Sequence, residues 1–229
     1  MIRLLLLTLG LFAGVNAFGT SVVVHPSIDK LITTAVDPKI AEQCGMSIRT
    51  PRLKNIFGQP LGFGCTGSYK NGNHAGMDMD FQYDPNENAG GEHIEFDIQG
   101  TGIENKINSG GDSIFQKING SPTPILSSGA AFGGSNCGPA KKVVVTPISA
   151  NNWHGWIAEG FFGRAPHGCR LTKEYTAAYR CISMMIGNEK MVAQLGEVCL
   201  LREKKYSLEN GFSYDIFMDM IKSIRFSEK

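Results

Sequence analysis

The sequence has little of what usually identifies a protein quickly. Its 229 residues carry almost no net charge, with 22 Lys and Arg against 21 Asp and Glu. A near-neutral chain lacks the basic surface that general nucleic-acid binding needs. There is no CxxC pair, which removes the zinc-knuckle and thioredoxin-like patterns. There is no GxSxG nucleophile elbow, and no internal repeat. After the first residues, no apolar run is long enough to span a bilayer, whose hydrocarbon core is about 30 Å thick. Charged residues make up only 19% and hydrophobic residues 42%. That is the balance of a folded chain rather than a disordered one, and the length allows one or two domains with a real core.

What is present begins with an address. Residues 1–17 place Arg3 before the apolar stretch Leu4 to Gly14 and end on Val15-Asn16-Ala17. Small residues at −3 and −1 after an 11-residue apolar stretch form a signal-peptide pattern, too short for a membrane span. The reading is an exported periplasmic or secreted chain of 212 residues, 18–229, with no membrane span after cleavage. It forms one domain, or two halves, 18–105 and 141–229, joined by a Gly/Ser-rich segment. All six cysteines follow the signal: Cys44, Cys65, Cys137, Cys169, Cys181 and Cys199. An even number in an oxidising compartment suggests three disulfides. Sequential pairing is the simplest choice: Cys44–Cys65, Cys137–Cys169 and Cys181–Cys199. A tight turn at Gly187-Asn188 puts Cys181 opposite Gln194, so the last bridge requires a longer loop centred near Lys190, or another partner.

The fold class reads as α+β: an antiparallel sheet with a helical segment near the start and a packed amphipathic helix at the end. Residues 27–43 suggest a helix that starts at Ser27 and is broken near Asp37-Pro38. Residues 60–69 read as a Gly-rich strand or loop. Met77, Met79, Phe81 and Tyr83 alternate with polar residues, and so do Ile94, Phe96 and Ile98. Period-two alternation predicts two half-buried strands joined by the hairpin loop Asp84 to Gly91. Residues 100–138 hold nine Gly and six Ser, predicting a long loop or a seam, with a short helix around Asp112 to Ile118. Strands are expected at Val143–Pro147 and Trp156–Phe162, and a long hairpin over Tyr175–Ile186 and Lys190–Leu201. Over 209–225, Phe212, Ile216, Met220 and Ile224 recur every four residues, as on one face of a helix.

The closing Lys222-Ser-Ile-Arg-Phe226, after a late antiparallel sheet and one helix, resembles the end of PsbP/Mog1-like proteins. The likeness runs from about Tyr175 to Phe226. It implies an α/β/α sandwich-like fold and a binding or accessory role rather than an enzymatic one. It transfers no functional residue.

Several residue sets suggest chemistry. The strands over 77–99 present an acidic face of Asp78, Asp80, His93, Glu95 and Asp97. Residues 71–105 contain eight acids and no Lys or Arg, leaving the rest of the chain at +9. Such a face is solvated, or meets a basic protein partner, or holds a metal. Asp84, Asn86, Asn88, Glu92 and Glu95 match oxygen-ligand positions of a calcium loop. Ala89 at its Gly position and flanking strands in place of helices oppose that reading. Gly62 to Gly67 is a formal GxGxxG, but turn residues follow it where a nucleotide site needs a helix. Ser135 or Cys137 beside one of His25, His74, His93, His154 or His167 is the pattern a hydrolase would need, as is an acidic pair. Trp153 and Trp156 have opposite strand parity, so at most one faces the core unless the backbone bulges at Gly155, and both are candidate binding residues. Together these features predict a non-catalytic binding protein recognising a protein partner, such as an immunity-type inhibitor of an envelope toxin. The alternatives are a periplasmic hydrolase and a calcium-dependent binding module.

Overall fold

The computed structural model describes residues 32–52, 60–70, 73–80, 93–125, 143–160, 179–202 and 213–228. The signal pattern, Ser27, the hairpin loop with its candidate calcium ligands Asp84, Asn86, Asn88 and Glu92, Ser135, and the Cys137–Cys169 pair lie outside them.

The centre is a seven-stranded antiparallel sheet in the order β4-β5-β6-β12-β11-β10-β9. Its strands are β4 (Gly64–Gly67), β5 (His74–Asp80), β6 (His93–Gln99), β9 (Val144–Ala150), β10 (Trp153–Glu159), β11 (Tyr179–Gly187) and β12 (Val192–Leu201). The predicted alternation produces β5 and β6, which pair antiparallel along their whole length. Both halves of the chain supply strands, and β6 against β12 joins them. β10 pairs without a shift on both sides. No bulge at Gly155 interrupts it, so the two tryptophans keep opposite parity. A Cβ at Gly155 would lie 2.0 Å from the Met185 carbonyl oxygen, so only glycine fits this close approach of β10 to β11.

Alternation along the strands divides the apolar residues between two faces. One face carries Met77, Met79, Ile94, Phe96, Ile98, Ile182, Met184, Ile186 and Leu195, all buried. Against it pack α1 (Pro38–Cys44) and α3 (Tyr214–Lys222), the latter through Ile216, Phe217, Met220 and Ile221. Ser213 caps α3 by accepting the Ile216 N–H, as predicted cap chemistry requires. The opposite face is apolar only over β9 to β12. There Val192, Met185 and Ala158 meet Ile103 and Ile107 of α2 (Ile103–Ser109), with Phe115 beside them.

Two expectations change. Residues 32–43 are not a helix broken near Asp37-Pro38. Ile32–Ala35 is strand β1, paired with β3 (Arg49–Pro51), and α1 begins at Pro38 with Asp37 as its cap. Proline has no N–H to satisfy and is preorganised for the first helical position, so it starts the helix rather than bending it. Nor is Asp112 to Ile118 helical. The helix is α2, just before it, and β7 (Phe115–Ile118) pairs with β8 (Ser121–Pro124) as a hairpin. Its two-residue turn holds Asn119 at φ 51° and Gly120 at φ 78°, the Asn-Gly turn whose twist matches a hairpin.

Two disulfides are present among the described residues: Cys44–Cys65 and Cys181–Cys199. β11 and β12 are joined by a four-residue loop, with Gly187 opposite Val192 and Cys181 opposite Cys199. The loop is centred between Glu189 and Lys190, and a register shift between Ile182 and Met184 completes the pairing of Cys181 with Cys199. Asn188 organises it, its Oδ1 accepting the N–H groups of Lys190 and Met191. The Ile103 N–H at the start of α2 donates to the Asn188 carbonyl. β13 (Arg225–Phe226) closes the chain on β2 (Met46–Ser47).

Candidate functional site

The open half of the second sheet face is polar because β5 and β6 direct their polar residues to it. In register, His74 faces Gln99, Gly76 faces Asp97, and Asp78 faces Glu95. Asp78 is half-buried and Glu95 exposed. Like charges placed directly opposite destabilise a strand pair. Asp97, with only Gly76 across from it on β5 and Gln194 across from it on β12, turns towards His74 and the glutamines.

A connected network results. Lys106 projects from α2 and is 3% exposed. Its Nζ donates to Gln99 Oε1 at 2.9 Å and forms an ion pair with Asp112. A buried ammonium requires this compensation. The hydrogen bond from Lys106 holds the Asp112 carboxyl below the usual carboxylate range, against the opposing effect of partial burial. Gln194 on β12 donates to Asp97 Oδ2 at 3.3 Å and to the Asp112 carbonyl at 3.2 Å, while its Oε1 accepts the Ile114 N–H at 2.9 Å. The network therefore ties β5, β6, β12 and α2 together where apolar and acidic surfaces meet.

His74 is its exposed end. Gln99 Nε2 lies 2.9 Å from Asp97 Oδ2, 3.0 Å from Asp112 Oδ2 and 3.0 Å from His74 Nδ1. An amide has two hydrogens, and the two carboxylates take them. His74 Nδ1 then carries its own hydrogen and donates to Asp97 Oδ1 at 2.9 Å. His74 Nε2 faces Asp112 Oδ2 at 3.5 Å. This is an imidazole oriented by one carboxylate, with its second nitrogen beside another, an arrangement able to accept and return a proton. Donor atoms of His74, Asp97 and Asp112 lie within 4.8 Å of one another. Lys106 and Gln99 already donate to these carboxylates, so the cluster is compensated from within.

The expected site residues fall in different places. Asp78, Glu95 and Asp97 do share one face. Asp80 and His93 stand opposite each other at the loop end of the same pair. Glu95, the last candidate calcium ligand, is the third residue of β6. Trp153 is buried and its indole N–H donates to the Ile224 carbonyl at 3.0 Å, so it is a core residue with no contact surface to offer. Trp156 is half-buried on the other face, 6.4 Å from Phe115 between ring centroids and edge-on to His154.

The sequence reading did not single out Gln99, Lys106, Asp112 or Gln194. One signal was available: Ile103 and Ile107, one turn apart, mark a short helix that carries Lys106 beside them. No family model matches this chain, and no curated protein or solved structure does.

Proposed function

We propose that the chain is an exported, non-catalytic binding protein whose acidic sheet face receives a basic protein partner, in the manner of an immunity-type inhibitor of an envelope toxin. The observation that carries this reading is the placement of Asp78, Glu95 and Asp97 on one face of β5 and β6, within a segment that has no Lys or Arg. A basic partner relieves the cross-strand repulsion of Asp78 and Glu95 and gains electrostatic steering. Export is supported by the two disulfides, and no helix among the described residues is long and apolar enough to cross a membrane. The α/β/α sandwich of PsbP/Mog1-like proteins is the fold reading that goes with it. It is supported by α3 on one face of the sheet and α2 on the other.

The test is capture from an envelope extract at two salt concentrations, by the wild-type chain and by the Asp78→Lys/Glu95→Lys variant. The expected result is a partner with a basic surface, bound more weakly at high salt and lost with the variant. No partner, or equal capture by the variant, overturns the reading. A second reading, an acid–base hydrolase, is supported by the 2.9 Å contact of His74 with Asp97. It falls if ester, glycoside and phosphate substrates are untouched by the wild-type protein.

A further inference from the structure

The two bridges join different things. Cys44–Cys65 ties the end of α1 to the edge strand β4, with Cα atoms 6.0 Å apart, inside the usual disulfide range. Cys181–Cys199 joins residues directly opposite each other on adjacent strands. The Cys181 carbonyl accepts the Gly160 N–H at 3.0 Å, on the β10 side. The N–H and C=O of one strand residue point the same way, so Cys181 meets β12 as a non-hydrogen-bonded pair. Such pairs ordinarily stand about 4.5 Å apart at Cα. Here the separation is 3.9 Å, closer than either the sheet or a disulfide favours.

We propose that Cys181–Cys199 is a redox-sensitive switch, opened by a dithiol reductant ahead of Cys44–Cys65, with the sheet surviving its opening. Opening lets the two strands return to ordinary spacing. Their ladder and the buried Ile182, Met184, Val198 and Leu200 keep them paired. Cys181 is 1% exposed and Cys199 is half-buried, so the incoming thiolate reaches the Cys199 sulfur. It forms a mixed disulfide there and expels the Cys181 thiolate, which takes up a proton. The second thiol of the reductant then displaces Cys199 as a thiol, leaving the reductant as its own disulfide. The effect is transmitted next door. Arg180 grips the Glu159 carboxylate and lies 3.6 Å over the Tyr214 ring at the start of α3. Relaxing Cys181 therefore alters how α3 is held to the sheet.

The experiment treats the oxidised full-length protein with graded dithiothreitol, labels free thiols with an alkylating agent, maps them by peptide mass and follows far-ultraviolet circular dichroism. Half-labelling of Cys181 and Cys199 is expected at about tenfold lower dithiol than that of Cys44 and Cys65, with the dichroism unchanged. Labelling of Cys44 and Cys65 first or together with them overturns the proposal, as does labelling of Cys181 and Cys199 only as the fold is lost. A Cys181→Ser/Cys199→Ser variant supplies the second measurement. It is expected to fold and to melt within about 4 °C of the wild type, and failure to fold counts against the switch.

Discussion

One face of the central sheet is two surfaces. Over β9 to β12 it is apolar and covered: Ala158, Met185 and Val192 lie under Ile103, Ile107 and Phe115. Over β5 and β6 it presents His74, Asp78, Glu95 and Asp97. The backbone is the same antiparallel ladder throughout, so side-chain chemistry alone makes the division. The boundary is built rather than abrupt. Gln194 stands on the apolar strand β12 and reaches Asp97 on the acidic strand β6, while Lys106 carries a positive charge from α2 into the seam.

Breaking the covered half should cost most. Phe115, the first residue of β7, is fully buried in the cluster with Ile103 and Ile107 of α2, so Phe115→Ala should cost about 3–5 kcal/mol in urea unfolding. A loss below about 1 kcal/mol would mean that α2 is not a true cover. The seam ranks second. Lys106→Met keeps the length of the side chain but leaves Gln99 Oε1 without its Lys106 donor and Asp112 without its ion pair, at a cost of about 1–2 kcal/mol, moderated because Asp112 keeps the Gln99 donor and is 57% exposed. Its pH dependence has a definite sign. Asp112 titrates lower in the folded state than its ordinary value of 3.8, so its contribution is complete above that value and fades as the pH falls through the lowered one. The stability gap between wild type and Asp112→Asn should therefore be constant near neutrality and close below about pH 4; a gap that widened in acid would reverse the assignment. The acidic half should respond least. Asp78→Asn removes a cross-strand repulsion and should shift stability by no more than about 0.5 kcal/mol, upward. A clear loss in thermal melting would show that this carboxylate holds the fold together.

Legibility in the sequence followed the range of the interactions. β5 and β6 were visible because alternation is a property of neighbouring residues, and Met77, Met79, Ile94, Phe96 and Ile98 are all buried as their parity requires. The loop around Lys190 was visible through the geometry that Cys181 and Cys199 impose. Asn119-Gly120 was equally local, but the surrounding glycines and serines hid a hairpin that reads Ile-Asn-Gly-Ser at its turn. Pro38 reads as an interruption in the sequence and is the beginning of α1 in the structure. The seam was not legible by any local rule. His74, Asp97, Asp112 and Gln194 are brought together by strand order, and strand order is not written in the spacing of four polar residues across 120 positions.

β13 has a consequence for how the chain reaches this state. Phe226 pairs with Met46, and the carbonyls of Lys222, Ile224 and Phe226 accept side-chain hydrogens from Asn151, Trp153 and Asn152. The side-chain hydrogen bonds span 71 to 74 residues of sequence, and the Ser47–Arg225 contact between β2 and β13 spans 178, so they close late and slowly. During synthesis, the indole N–H of Trp153 has no native acceptor until Ile224 has been made. β13 thus acts as a clasp between β2 and the segment from Asn151 to Trp153.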